Sequence, residues 1–290
     1  MKLIIKFNLV FIGVFLLGLL VAGRISHTLL QDNAQEEILQ NARIMMEAAL
    51  STRSYTNVQI KPLLETQMKY AFLPQSVPAY AATEYFNDLR QKFPEYSYKE
   101  ATLNPTNPRN RASDWEADVV NQFRNDDKMK EVIGERDTPT GRSLYLARPI
   151  QIKAEACLQC HSTVEAAPKT LLDRYGNANG FGWKLNEVIG AQVVSVPTEV
   201  PLARANKTFK VFMISLTAVF AFIFIVLNLM LSYMVIRPVT KLSKLADEVS
   251  LGNMEAAEFN VSAKDEIGAL ASSFDRMRKS LVKALKMLEE

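Results

Sequence analysis

The sequence predicts an α+β domain carried between two transmembrane helices and followed by a C-terminal helix pair. Three observations predict it. Two long runs, Phe7–Gly23 and Val211–Ile236, contain no charged residue. Between them, helical periodicity at both ends encloses short stretches of strand-like alternation. After Arg237-Pro238, apolar residues recur in alternating steps of three and four, the spacing of a packed helix seam.

Composition agrees with this division. The 290 residues are 48% hydrophobic and carry a net charge of +3, with no dense Lys/Arg block. A core can be built, and a nucleic-acid partner has little support. A bilayer core of about 30 Å needs roughly 20 apolar residues. The second run spans easily, and the first spans if Lys6 reaches back to the interface. The alternative for the first run is a cleaved signal peptide ending near Val21-Ala22-Gly23. Two spans put both termini on one side and the intervening domain on the other. Charge orients them weakly: Lys2, Lys6, Arg237, Lys241 and Lys244 flank one side, and Arg24, Arg204, Lys207 and Lys210 the other.

The elements follow in order. Residues 25–70 read as a long helix that continues the first span, with Leu29, Leu30, Ile38, Ala42, Met45, Met46, Ala49 and Leu50 at helical spacing. Pro62 marks a kink or break. A loop at Phe72–Pro78 leads to a helix over 80–92 with Tyr85, Phe86 and Leu89 on one face. Strands are expected at Tyr96–Ala101, Lys130–Gly134, Ser143–Gln151 and Val188–Pro197, with a helix near Ala112–Arg124. In the tail, Val239, Leu242, Ala246 and Val249 form one helical stripe and Gly252 ends it. A connector holding Met254, Phe259 and Val261 follows, and Asp265-Glu266-Ile267-Gly268 opens a second helix. Its stripe is Ile267, Leu270, Phe274, Met277, Leu281, Ala284 and Leu288. An a/d seam of this length predicts a parallel dimer with a second copy.

The chain has two cysteines and two histidines, and Cys157-Leu158-Gln159-Cys160-His161 takes three of the four. C-x-x-C-H is the run that mounts a c-type haem. Two thiols three residues apart form thioethers to the haem vinyls, and the adjacent imidazole reaches the iron. A redox disulfide would not need His161, and a zinc site would need two further ligands where His27 is the only other histidine. One covalent haem c is expected, held by Cys157 and Cys160, with His161 as proximal metal ligand. Haem c is attached after export, so the middle domain is expected outside the cytoplasm. The predicted divisions are a first span at 1–23, the haem domain at 24–209, a second span at 210–236 and the tail at 237–290.

Residues 237–288 resemble a HAMP linker: a proline after a span, a helix, a glycine-containing connector, then Asp-Glu-Ile-Gly and a second helix. HAMP modules are parallel homodimeric four-helix bundles that pass signals from membrane spans to cytoplasmic effectors. The middle of the chain resembles the Tll0287-like c-haem family. The matching residues are Arg53-Ser-Tyr55-Thr56, Pro62-Leu-Leu, Val77-Pro78-Ala79-Tyr80, Asn104-Pro-Thr-Asn107-Pro108, Leu146-Ala-Arg148-Pro149, Cys157–His161, Gly180-Phe-Gly-Trp183 and Gly190-Ala. The resemblance implies a PAS-like fold for the haem domain. It also implies a distal cysteine opposite the histidine, from which this chain departs because both cysteines serve the thioethers.

The second metal ligand is therefore sought elsewhere. Met46, with Met45 as alternative, lies near where the family places its distal ligand. Met68, His27 and an open site are the other possibilities. Haem propionates want cations and donors, and the family motifs point to Arg53, Arg148 and Tyr55. Trp183 and Tyr145 are candidates to line the haem.

The expectation for function is a two-pass protein of the inner (plasma) membrane, with an extracytoplasmic haem domain and cytoplasmic termini. It senses redox state or a small gaseous ligand and signals through the dimeric tail to a separate cytoplasmic partner, because no kinase or cyclase motif is present. The alternative is a membrane-anchored monohaem electron-transfer cytochrome served by an electron donor. No distal acid–base histidine is evident, and enzyme activity is not expected.

Overall fold

The structure is a computed structural model, and it describes residues 3–139, 141–253 and 265–289. Lys2 and the connector residues Met254, Phe259 and Val261 lie outside the described residues, as does the side chain of Leu288. The chain divides into two compact units, Thr28–Thr208 and Met1–His27 with Phe209–Glu290.

The first unit is built on one antiparallel sheet. Its strands are β1 (Ser97–Thr102), β2 (Val132–Thr138), β3 (Gly141–Gln151) and β4 (Val188–Pro197), in the order β1-β4-β3-β2. Alternation along β3 and β4 sends successive side chains to opposite faces. On one face Tyr98, Leu144, Leu146, Val194 and Val196 meet two helices, α1 (Leu3–Tyr55) and α3 (Pro78–Lys92). Those helices contribute Ile38, Ala42, Met45, Met46, Ala49, Ala82 and Phe86. On the other face Ala101, Ala147, Ala191 and Val193 meet Val119, Val120 and Phe123 of α4 (Asp114–Asn125). A capping box between Ser113 and Glu116 starts α4 by satisfying its free amides. The α+β expectation is met: β1, β3 and β4 lie close to the expected stretches, while β2 starts two residues and ends four residues later than Lys130–Gly134. Of the expected face of α3, Phe86 is buried and Leu89 packs against the core with Ala82, whereas Tyr85 is 48% exposed.

The expected break at Pro62 takes a specific form. A π turn at Thr56–Ile60 joins α1 to α2 (Lys61–Met68), and the Lys61 amide bonds the Thr56 carbonyl. Proline has no N–H to continue the ladder, and a wider turn just before it absorbs the misfit. Two short helices escaped the sequence reading: α5 (Glu155–His161) and α6 (Lys169–Tyr175). Neither spans enough residues to show a period.

In the second unit two helical stretches are long and apolar enough to cross a membrane. One is the start of α1 and the other is α7 (Glu199–Met230). Phe15 stacks on Phe220 at 5.1 Å, and His27 meets Phe209 edge-on at 5.2 Å. After α7 come α8 (Arg237–Ser250) and α9 (Glu266–Glu289). Gly252 ends α8 at φ +94°, a conformation that favours glycine. Asp265 caps α9 by accepting from the Gly268 amide at 2.9 Å. Leu242, Val249 and Ala271 are buried, while Leu270, Met277 and Leu281 of the expected seam remain exposed.

Met45 and Met46 are 8% and 0% exposed and belong to the sheet-facing core. Truncation of Met46 to alanine is therefore expected to cost about 2–5 kcal/mol of stability through the cavity it leaves. Chemical unfolding read from Trp115 and Trp183 fluorescence measures this, since both tryptophans lie in this unit.

Candidate functional site

Beyond Ala49, where the α1 core stripe ends, the same face of the sheet opens into a cavity of about 530 Å³. Cys157, Cys160 and His161 all line it. They are positioned by α5, whose approach is fixed where Ile152 exchanges backbone bonds with Glu187 and Asn186, at 2.9 and 2.7 Å. The two cysteines are one helical turn apart and so share a face. Both are free thiols, half-buried. Burial pushes the Cys160 thiol above its usual pKa, against the opposing charge of Lys61. A redox-active C-x-x-C pair shows the reverse, a lowered thiol pKa. Among the described residues no group of three or more His, Cys, Asp or Glu side chains is placed to hold a metal ion by itself.

Two loops fix the imidazole. His161 Nδ1 lies 2.7 Å from the Gly180 carbonyl oxygen and 3.4 Å from Thr106 Oγ1. A carbonyl only accepts, so Nδ1 carries the proton and Nε2 keeps its lone pair. The Trp183 ring stacks on the imidazole at 3.9 Å and 15°. Its amide bonds the His161 carbonyl at 3.1 Å. Asn104 ties the loops together: its Oδ1 accepts from the Gly180 amide at 3.2 Å and its Nδ2 donates to the Phe181 carbonyl at 3.3 Å. Burial pushes the His161 pKa down, partly offset by the Gly180 bond, and the ring is neutral. A neutral imidazole with its second nitrogen anchored is the ligating form of histidine.

The cavity's charges are arranged around Glu100, whose side chain is 4% exposed. Arg53 of α1 donates to both of its oxygens, one at 2.5 Å. Tyr98 donates to Glu100 at 2.8 Å, and Gln192 donates to Tyr98 at 3.1 Å. Burial, then the Glu100 charge, raises the Tyr98 phenol well above its ordinary pKa and keeps it a donor. Arg109 at the cavity pairs with Glu84 and lies 4.6 Å over the Tyr80 ring.

Of the residues singled out from sequence, Cys157, Cys160, His161, Arg53, Met68 and Trp183 line this cavity. The others do not. Arg148 bonds Glu47 and Glu131 at 2.6 and 3.1 Å, and Tyr55 is 52% exposed outside the cavity. Tyr145 packs on Trp115 at 5.1 Å on the opposite sheet face. Met45 and Met46 are in the core, and the physical reason is helical rise: the seven residues from Met46 to Arg53 cover roughly 10 Å of axis. His27 belongs to the other compact unit. Sequence reasoning missed Asn57, Lys61, Glu100, Thr106 and Gly180. Thr106 and Gly180 sit inside motifs already quoted, but only their spatial neighbours reveal their roles.

The Tll0287-like family matches residues 31–197, and the HAMP domain matches residues 230–283. No curated protein matches the chain. Among solved structures it is similar to the crystal structure of the cyanobacterial heme-protein Tll0287, at 16% identity and a TM-score of 0.44. That alignment covers 56% of this chain and 95% of the other.

Proposed function

Because this chain belongs to the Tll0287-like family and ends in a HAMP domain, we propose that it is a membrane-bound haem c sensor. Its proposed parts are a span at 1–23, the haem domain at 24–209, a second span at 210–236 and the signalling helices at 237–290. The observation that carries the proposal is a single cavity lined by two free thiols one turn apart and a neutral, anchored imidazole.

The residues present fit the group. Cys157 and Cys160 supply the thioethers, and His161 offers Nε2 to the iron. Arg53 and Arg109 line the cavity, each already paired with one carboxylate, Glu100 and Glu84, and the remaining N–H groups of the two guanidinium forks suit a cofactor bearing two carboxylates. Arg53 is the expected propionate partner that remains; Arg148 and Tyr55 stand elsewhere. Bound here, the haem would supply an iron that changes charge with redox state or takes up a small ligand. The chain's own contribution is to fix the imidazole through Gly180, cover it with Trp183 and brace the wall with the Arg53–Glu100 pair. Arg53 lies on α1, so a changed charge in the cavity acts on a helix whose start is the first span.

The proposed location is the inner (plasma) membrane, with the haem domain outside the cytoplasm and the termini inside. Output passes to a separate cytoplasmic partner. A second copy covers the exposed Leu270, Met277 and Leu281.

Two outcomes test the proposal. Changing Cys157 and Cys160 together to serine is expected to abolish covalent haem on a stained denaturing gel; haem retained through denaturation would sink the assignment. Leu270→Cys in the membrane-embedded chain is expected to give an intersubunit disulfide whose yield differs between the oxidised and reduced haem. A purely monomeric product would sink the dimeric relay.

A further inference from the structure

We infer that the cavity wall built by α1, the π turn and α2 is a receptor for a small inorganic anion bound to the iron, with Lys61 and Asn57 as its donors. The inference rests on the haem reading above. Arg53, Ser54, Asn57 and Lys61 line the cavity from this one stretch of chain. Positions four apart on an α-helix drift about 40° per step. The wider π turn at Thr56–Ile60 takes up that drift and keeps Arg53, Asn57 and Lys61 in one row.

The row divides by what each member already holds. Arg53 is committed to Glu100, and Arg109 beside it to Glu84. Lys61 and Asn57 have no side-chain partner among the described residues. Glu100 is the one carboxylate among the described residues of the cavity, so the charge of Lys61 is uncompensated there. This wall holds no imidazole or thiol. Met68 packs against Phe72 and Leu171, and the single Ser76 hydroxyl proton beside its thioether has the Leu73 carbonyl, at 2.7 Å, as its stronger acceptor. An ammonium with three N–H groups and a primary amide with two select a ligand that carries negative charge and lone pairs. A neutral diatomic gains less from them. The ligand class is therefore a small anion that coordinates oxidised iron, and the cations raise its local concentration at the cavity.

The test uses the full chain in detergent, with azide titrated into the oxidised protein and carbon monoxide into the reduced one, both followed by haem absorption. Lys61→Met and Asn57→Ala are each expected to weaken azide binding about tenfold or more, the factor carried by one charge-assisted hydrogen bond. Carbon monoxide affinity is expected to stay within about twofold in Lys61→Met, since a neutral ligand does not feel the lost charge. Unaltered azide affinity in both variants overturns the inference, as does a native haem that takes up neither probe. So does a Lys61→Met protein that binds azide normally but shifts in reduction potential, which assigns Lys61 to the haem carboxylates. Failure of the haem reading itself is separate: it shows as absence of covalent haem on the gel before any titration begins.

Discussion

Arg53→Met is expected to destabilise the sheet domain by about 3–5 kcal/mol, the cost of leaving one member of a buried ion pair uncompensated. The geometry gives this pair its weight. The Glu100 side chain is 4% exposed and Arg53 27%, so water cannot replace the guanidinium at the carboxylate. The Tyr98 hydroxyl, at 2.8 Å, is the one other side-chain donor to Glu100 among the described residues. The two partners are not equivalent. Glu100→Leu leaves Arg53 with a route to solvent, and its cost is expected to be smaller, about 1–3 kcal/mol. The double variant Arg53→Met, Glu100→Leu removes both charges and is expected to recover most of the loss. Urea unfolding of the three variants, read from Trp115 and Trp183, forms a complete double-mutant cycle. Strictly additive losses would show that the pair is not coupled.

What could be read from the sequence follows the range over which each signal acts. The strands were legible because burial on both faces of β3 and β4 leaves nearly continuous apolar runs, and Leu144–Ala147 and Val193–Val196 are such runs. Cys157–His161 stands out in the sequence because the covalent attachment proposed for it needs a fixed local spacing. The cavity wall formed by α1, the π turn and α2 was not legible, and the reason is geometric. Met45 and Met46 share the face of α1 that points to the sheet, but the cavity begins only where Ala49 and the core end. A helical wheel gives the face and not the depth along it. Asn57 and Lys61 were further obscured by the π turn, which shifts the angular phase without leaving a sequence mark beyond Pro62. Glu100 was hidden for another reason. A glutamate inside a strand reads as solvent-facing, and only the arrival of Arg53 from a distant helix makes its burial tolerable.

The second large effect belongs to Gly180. Its φ is +87°, and a Cβ there would lie 2.0 Å from Thr106 Oγ1 and 2.9 Å from the Thr106 backbone. The first clash could be relieved by a rotamer change, but the second could not. The left-handed conformation adds about 1–2 kcal/mol for any side chain. Gly180→Val must therefore push the 180–183 loop away from the 104–107 loop. That movement takes with it the carbonyl that accepts from His161 Nδ1 at 2.7 Å. It also disturbs the Trp183 ring stacked on the imidazole. An anchoring partner of a metal-bound histidine is worth roughly 10–100-fold in metal affinity. On the proposed haem reading, Gly180→Val is accordingly expected to keep the cofactor attached at Cys157 and Cys160 while weakening the bond from His161 to its iron, seen as a changed absorption spectrum in both redox states. Thr106→Ala added to this variant removes the hydroxyl clash but leaves the backbone clash, so rescue should be partial. A Gly180→Val protein with an unaltered spectrum would show that the imidazole is held without this carbonyl, leaving Trp183 as its anchor. Loss of covalent haem together with the axial bond would place the damage in α5 and not in the ring it presents.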